Sequence, residues 1–381
     1  MEKKIYCYVG NWGMNGGAIG ITVCEFDLQT GTLTPVKTQF PGMSVGAQCI
    51  DYEQARLYVA DEKKDHPEFH VGGGGEVHSL AIDKESGELT MLGSAPSFGT
   101  LASYVAVDPK GKFLVATNHG SGNYVTRIEQ APDGSFQQKV LYDNITAVLY
   151  ELNKDGSIAQ ACDVYYAFGD GPMAGQLTSH LHSVEFAPDG SFLLICDKGG
   201  DQVLTFRIDR EQKKMIPVTA YLTEKGIAPR YSAFHPTKPF VYTNNELKPI
   251  LHCFRYQETG ELELMEVRSG YAQACENEHE GSQSALRVSP DGKFLYSLVR
   301  GKNVVSVFSI NQETGLLTPV QQYEPKARNL RGATISPDGR FLIISAVESQ
   351  EVVCCPIGED GLLGEPVCRL SQPTPCCVAF F

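Results

Sequence analysis

The sequence predicts an all-β, seven-bladed β-propeller with four antiparallel strands in each blade. Two interleaved repeats and the C-terminal tail support this prediction. The first repeat is an apolar run, a Pro-Asp-Gly turn or a variant of it, and a second apolar run that begins near a Phe. Its prolines are spaced by 79, 48, 54 and 47 residues. They are Pro109, Pro188, Pro236, Pro290 and Pro337.

The second repeat resembles Phe-Asp-Leu-x-Thr-Gly-x-Leu and alternates with the first. Its turn position recurs at spacings of 56, 47, 79, 47, 55 and 46 residues. The seven turn residues are Gly31, Gly87, Gly134, Lys213, Gly260, Gly315 and Gly361. Both series indicate a unit of about 47 residues that holds four short strands, and such a unit is typical of a propeller blade.

The chain ends indicate how the ring closes. Residues 5 to about 38 supply only three strands, so we expect residues 376–381 to add the missing inner strand of blade one. Closure of this kind leaves no open sheet edge. The enlarged unit predicts an excursion at about residues 142–178, between blades three and four, within a single domain that spans residues 1–381.

Composition excludes several classes of function. The 381 residues carry a formal net charge of −13, which disfavours nucleic acid and anionic membranes as partners. No apolar run is long enough to span a bilayer, and the N-terminal segment lacks the apolar stretch of a signal peptide. The twelve cysteines include no Cys-x-x-Cys pair. We therefore expect a cytoplasmic protein with reduced thiols.

Charged side chains are predicted to gather at one mouth of the central channel. In a blade, the inner strand begins and the second strand ends at the same rim, because the two strands are antiparallel. The residues that this rule selects are His119, His182, Lys198, Arg230, Arg300, Arg331, Glu62 and Glu246, with Arg287 one step deeper. Such a cluster can bind a small anion, because Arg presents two-pronged donors to carboxylate or phosphate. It can equally be an ion network that plugs the channel.

Several motifs resemble those of bacterial seven-bladed lactonases of the 6-phosphogluconolactonase type, a family that includes the fungal carboxy-muconate lactonizing enzyme. The similarity covers essentially the whole chain. It is carried by Phe-Asp-Leu-Gln-Thr-Gly-Thr-Leu at 26–33, His-Leu-His-Ser-Val at 180–184, Ala-Pro-Arg-Tyr-Ser-Ala-Phe-His-Pro at 228–236, Thr-Asn-Asn-Glu-Leu at 243–247 and Leu-Arg-Val-Ser-Pro-Asp-Gly at 286–292. The resemblance implies functional roles for His182, Arg230, Glu246 and Arg287.

From this resemblance, we predict a hydrolase that acts on a sugar-acid lactone, such as 6-phosphogluconolactone or a related anionic lactone. Arg230 and Arg287 would hold the anion and polarise the lactone carbonyl. Either Glu246 or His182 would take a proton from water. The remaining substrate contacts are assigned to Arg331, Arg300, His119, Glu62 and Lys198.

No cofactor is implied by the sequence. The oxygen ligands near the rim are limited to Glu62, Asn118 and Glu246, so we predict no metal. Two other functions stay open: a cycloisomerase acting on an unsaturated dicarboxylate, and a non-catalytic propeller that binds proteins. The second would be favoured if its aromatic candidates, Trp12, Tyr104, Tyr165 and Tyr166, clustered around the mouth.

Overall fold

The computed structural model describes residues 4–13, 17–66, 68–69, 71–274, 277 and 280–381. Within these ranges the regular structure is entirely β, in thirty strands. Seven antiparallel sheets of four strands surround a central channel, and an eighth sheet is a two-stranded hairpin. The predicted fold class, with seven blades of four antiparallel strands, is confirmed.

The strand bounds follow the repeats. Blade one contains β1 (Ile5–Asn11), β2 (Ile21–Phe26), β3 (Leu33–Gln39) and β30 (Pro375–Phe380). Blade two contains β4 (Val45–Asp51), β5 (Arg56–Asp61), β6 (Glu76–Ile82) and β7 (Leu89–Pro96). Blade three contains β8 (Ala102–Val107), β9 (Phe113–Asn118), β12 (Ile145–Leu152) and β13 (Ile158–Ala167). The extra hairpin consists of β10 (Tyr124–Gln130) and β11 (Phe136–Tyr142).

The remaining blades each use four consecutive strands. Blade four contains β14 (Leu181–Phe186), β15 (Leu193–Asp197), β16 (Gln202–Asp209) and β17 (Lys214–Leu222), and blade five contains β18 (Pro229–Phe234), β19 (Phe240–Asn245), β20 (Ile250–Tyr256) and β21 (Leu262–Ser269). Blade six contains β22 (Ser282–Val288), β23 (Phe294–Arg300), β24 (Val304–Ile310) and β25 (Leu317–Tyr323). Blade seven contains β26 (Leu330–Ile335), β27 (Phe341–Ala346), β28 (Glu351–Pro356) and β29 (Cys368–Ser371).

The C-terminal strand closes the ring as predicted. β30 pairs antiparallel with β1, with Val9 opposite Val378, and is the innermost strand of blade one. Val378 and Phe380 pack in one apolar cluster with Val9 and with Phe341 of blade seven. The last strand therefore contributes both to blade one and to the interface between the first and last blades.

The Pro-Asp-Gly phrase is the turn between the inner and second strands. In blade six, Asp291 accepts hydrogen bonds from the Ser289 hydroxyl at 2.6 Å and from the backbone N–H of Lys293 at 3.0 Å. Gly292 adopts a φ of 74°, which strains residues that carry a Cβ. The turn is local in sequence, and this explains why its repeat identifies the blades so well.

The predicted position of the excursion is wrong. β12 and β13 are ordinary third and fourth strands of blade three, joined by the turn at Asp155 and Gly156. The added residues instead form the β10–β11 hairpin, inserted between the second and third strands of that blade. Its turn reads Ala-Pro-Asp-Gly at 131–134 and imitates the blade turns, so Gly134 entered the repeat series in place of Gly156.

The apolar core lies between neighbouring blades. One cluster, for example, joins Tyr296 and Val305 of blade six to Leu342 and Val353 of blade seven. The inner strands can therefore present polar side chains to the channel without interrupting the core. The eleven cysteines within the described ranges are unpaired, and Cys275 lies outside them. None of the described residues belongs to a helix long and apolar enough to cross a membrane.

Candidate active site

A polar cavity of about 190 Å³, here called the upper cavity, lies at the rim where the inner strands begin. Eight of the nine predicted site residues line it, and Arg287 does not. The lining residues are Trp12, Gly46, Glu62, Leu101, Ser103, His119, His182, Lys198, Arg230, Tyr231, Glu246, Arg300 and Arg331. The rule that inner-strand starts and second-strand ends meet at one rim therefore located most of this cavity.

A slip in strand register occurs near the start of each inner strand, and in five blades the skipped residue lines the upper cavity. In blades four and five, the pairing skips His182 between Leu181 and Ser183, and Arg230 between Pro229 and Tyr231. A bulge of this kind leaves a residue outside the ladder and re-aims its side chain. The residues skipped in the other blades are Gly46, Ser103, Ser284 with Ala285, Arg331, and Cys376 in β30.

Cys376 is one of these skipped residues, and the sequence analysis did not select it as a site residue. Its thiol lies 3.0 Å from Nε of Arg331 and 3.3 Å from the Gly46 carbonyl. Hydrogen bonding to Cys377 and the charge of Arg331 lower the pKa of the Cys376 thiol to about 6. Aligning β30 with the other inner strands by their bulge position would have found it.

Glu246 is the centre of an ion network. Its Oε2 accepts a hydrogen bond from Nε of Arg230 at 2.8 Å, and its Oε1 lies 3.2 Å from the Lys198 ammonium. Nη2 of Arg300 lies 3.5 Å from the same oxygen. Burial raises the pKa of Glu246, but the three cations outweigh burial and hold it well below its usual range. Glu246 is therefore ionised at neutral pH.

His182 has the opposite electrostatic character. Burial first, and then the charge of Arg230, lower the pKa of His182 well below its usual range, so the imidazole is neutral at pH 7. Its ring packs edge-on against Tyr231 at 5.1 Å and against His119 at 6.1 Å. A neutral imidazole beside cations can accept a proton in a reaction.

His119 and His180 form a stacked pair behind His182, with ring centroids 4.4 Å apart. His180 donates from Nδ1 to the His119 carbonyl at 2.6 Å, and His119 donates from Nδ1 to the Gly120 carbonyl at 3.1 Å. Burial and the nearby Lys198 lower the pKa of His119 well below its usual range. His119 is therefore a neutral wall of the cavity.

Glu62 and Arg331 occupy the side of the upper cavity nearest blade one. Nη2 of Arg331 lies 3.8 Å from Oε2 of Glu62, and the guanidinium lies 4.4 Å from the centre of the Trp12 ring. Burial raises the pKa of Glu62 to about 7, although Arg331 opposes the rise. Glu62 can therefore exchange a proton near neutral pH.

The cavity carries more positive than negative groups. Lys198, Arg230, Arg300 and Arg331 face only two carboxylates, Glu62 and Glu246. The positive charges are close enough to affect one another at Arg300, where burial and the charge of Arg230 lower the guanidinium pKa to about 10.

Several buried polar atoms of the upper cavity have no partner. Nη1 of Arg230, Nε of Arg300 and Nδ1 of His182 make no hydrogen bond to any described residue. A buried group left without a partner costs about 1–3 kcal/mol, so these atoms favour binding of a polar ligand.

Arg287 was predicted to act beside Arg230, but it lies deeper and lines a different cavity. Blade six skips two residues, Ser284 and Ala285, at the bulge, and Arg287 lies beyond it on the inner strand. Arg300, at the end of the second strand of this blade, is the arginine that approaches Glu246.

The candidate oxygen ligands do not form a common site. Glu246 is surrounded by cations, and the Asn118 amide donates to the Ser97 carbonyl and the Thr146 hydroxyl. A different group, Asp61, Glu76 and His78, has ligand atoms within 4.8 Å of one another. The Lys63 ammonium, however, lies 2.7 Å from Asp61 Oδ2, where a metal would have to compete with it.

Comparison with known proteins agrees with this architecture. The 6-phosphogluconolactonase of Bacillus subtilis (strain 168) is 27% identical over 382 residues, covering 99% of this chain and 98% of the relative. The crystal structure of a putative 6-phosphogluconolactonase from Bacteroides uniformis superposes with a TM-score of 0.84 at 26% identity, with all of both chains covered.

A further solved structure shares the fold. The periplasmic gluconolactonase of Pseudomonas aeruginosa superposes with a TM-score of 0.83 at 21% identity, over 99% of each chain. A family model described as lactonase, 7-bladed beta-propeller, matches residues 6–380. The chain therefore belongs to the seven-bladed β-propeller lactonase family.

Proposed function

We propose that this protein hydrolyses a small anionic lactone of the sugar-acid type, with 6-phosphogluconolactone as the first candidate. The observation that carries the proposal is the pairing of an ionised Glu246, held by three cations, with a neutral His182 in the same cavity. Relatives named 6-phosphogluconolactonase support the choice of substrate class.

The general base in this proposal is His182. Its imidazole is neutral at pH 7 and its Nδ1 atom has no partner, so it can accept a proton from the attacking water. Glu246 is not assigned the proton transfer, because Lys198, Arg230 and Arg300 already engage both of its carboxylate oxygens. Its role is to position those three cations.

The cations act on the developing negative charge. Water adds to the lactone carbonyl carbon, and the free donors of Arg230 and Arg300 stabilise the oxyanion. The ring C–O bond then breaks, and the departing alkoxide takes a proton from Glu62 or from the protonated His182. Arg331 and Lys198 would hold the anionic substituent of the substrate.

The aromatic arrangement does not favour a protein-binding propeller. Trp12 lines the upper cavity, whereas Tyr104 lies deeper in the channel and Tyr165 and Tyr166 belong to the outer strand of blade three. The four residues do not surround the mouth. Ring closure of an unsaturated dicarboxylate would use the same charged groups and is an outcome of the experiment below. The cytoplasmic location stays a prediction.

The test is acid release from a panel of lactones, with spontaneous hydrolysis subtracted. The panel contains 6-phosphogluconolactone, glucono-1,5-lactone and uncharged γ-butyrolactone. We expect turnover, with the highest kcat/KM for the phosphorylated lactone because of the positive cavity. Loss of turnover in Arg230→Ala would support the proposed site. An enzyme that turns over none of the three, or that only converts an unsaturated dicarboxylate to a lactone, would refute the proposal.

A further inference from the structure

A second and larger cavity, the lower cavity, lies at the opposite end of the channel, where the inner strands end. Its volume of about 430 Å³ is within the range of about 300–1,000 Å³ typical of small-molecule sites. Its wall combines polar groups with apolar side chains from different blades, and the apolar ones include Ile50, Val107, Phe186, Phe234 and Val288. These apolar side chains can pack against the hydrocarbon body of a ligand.

Arg287 gives this cavity a positive charge. The ion pairs described in the channel involve Arg230, Arg300 and Arg331, but not Arg287. Its Nη1 donates to the Leu286 carbonyl at 2.8 Å, and Tyr104 lies beside it in the cavity wall. Neither of these neighbours carries a full negative charge at neutral pH, so the guanidinium can still attract an anion.

Glu185 is the carboxyl group on which the charge of Arg287 acts, but no ion pair joins the two side chains. Burial raises the pKa of Glu185 to about 7 even though Arg287 acts to lower it. Near neutral pH the carboxyl is therefore partly protonated and can donate a hydrogen bond. In its protonated form Glu185 adds a neutral donor beside the cationic Arg287, whereas its ionised form opposes binding of an anion.

Two tyrosines separate the lower cavity from the upper one. Tyr231 lines the upper cavity and Tyr104 the lower, and their rings meet edge to face at 5.6 Å. Both also line a cavity of only about 30 Å³ between the two. A ligand bound at Arg287 therefore occupies a different place from a ligand at Glu246.

We propose that the lower cavity is a second binding site, which takes a small organic carboxylate with an apolar body through Arg287. The guanidinium matches a carboxylate with two donors. The apolar side chains of the wall favour a hydrocarbon body, because hydroxyl groups packed against them would lose water without gaining partners. This site is independent of the proposed lactone site.

The experiment is calorimetric titration with 3-phenylpropionate and with its uncharged analogue, 3-phenylpropanamide. We expect saturable binding of the acid and affinity for the amide lower by about tenfold or more, because the amide cannot pair with the guanidinium charge. Arg287→Met should weaken binding of the acid by a similar factor. Equal affinity for acid and amide, or no saturable binding, would overturn the inference.

A second variant keeps Arg287 in place. Thr334 lines the lower cavity, so Thr334→Glu adds a negative charge to its wall. Binding of the acid should weaken by about tenfold, whereas Thr318→Glu, on an exposed outer strand, should leave it unchanged. If Arg287→Met fails to fold, this pair decides the question, and equal affinity of the two Thr variants would refute the site. Binding lost in Arg230→Gln but kept in Thr334→Glu would place the ligand in the upper cavity and also refute it.

Discussion

Oε2 of Glu246 accepts a hydrogen bond at 2.8 Å from Nε of Arg230, a residue that is only 1% exposed and sixteen positions earlier in the chain. The two residues face each other because Arg230 lies in the bulge of an inner strand and Glu246 directly follows the adjacent second strand. The Glu246 N–H also donates to the Ala228 carbonyl at 2.7 Å. Backbone geometry therefore fixes the pair before any substrate binds.

Glu246→Gln should destabilise the protein and strengthen its binding of anions. The change leaves Arg230, Lys198 and Arg300 without their shared counter-ion, at a cost of about 3 kcal/mol. Phosphate should then raise the melting temperature of the variant more than that of wild type, since it binds the native state. Thermal unfolding with phosphate and with KCl at equal ionic strength measures both effects. Glu263→Gln, an exposed change on β21, is the control, and equal phosphate shifts in all three proteins would contradict the ion-network assignment.

His182→Ala should lower kcat for the preferred lactone by about two to four orders of magnitude, the usual contribution of a positioned base. His78→Ala removes a buried imidazole of blade two that does not line the upper cavity, and should retain turnover. Acid release by the two variants is measured at fixed times and compared, and melting curves verify that both are folded. Similar kcat values for His182→Ala and wild type would remove His182 from the mechanism.

The wild-type pH profile should show the lowered pKa of His182. Protonation inactivates a base, so kcat/KM should fall as pH decreases, with a midpoint below the ordinary histidine value of 6.5. The measurement is kcat/KM across the acid range in buffers that lack phosphate. A midpoint above 6.5 would be inconsistent with a base buried beside Arg230.

Glu62→Gln should change how stability depends on pH. The pKa of Glu62 is raised from 4.5 to about 7 in the folded protein, so the folded state binds the proton more tightly than the unfolded chain. Stability contributed by this proton is present below about pH 4.5 and is lost as pH rises through about 7. The variant should therefore gain up to ~3 kcal/mol relative to wild type between these limits.

Urea unfolding at about pH 5.5 and about pH 8 tests this prediction. Glu53→Gln, an exposed change in the turn after β4, serves as the matched control. A pH dependence that Glu62→Gln and wild type share would show that Glu62 does not titrate as assigned.

Deletion of residues 374–381 should unfold or aggregate the protein, because it removes β30 and exposes the edge of β1. Replacement of residues 124–142 by a short Gly-Ser linker removes more residues, but that hairpin pairs with no blade, so this variant should stay folded. Size-exclusion chromatography and circular dichroism distinguish the two. A monomeric truncation with unchanged melting temperature would contradict closure by the C-terminal strand.

The sequence alone was enough to predict the blades and most of the upper cavity. Turn chemistry is local, so phrases such as residues 288–294 mark the junction of inner and second strands without any tertiary information. Once those junctions are known, antiparallel pairing brings His182, Arg230 and Glu246 to one rim. The same local logic failed where the hairpin turn at Gly134 imitated a blade turn, because only strand pairing distinguishes the two.

Only the tertiary structure shows how deep each charged side chain lies in the channel and which charges surround it. Arg300 rather than Arg287 meets Glu246, because Arg300 ends its second strand at the upper rim whereas Arg287 lies beyond the bulge of its inner strand. The contrast between ionised Glu246 and neutral His182 depends on burial and on distances to cations from several blades. No local pattern encodes those distances, because electrostatic energies at the centre of a ring are summed over side chains that the fold alone brings together.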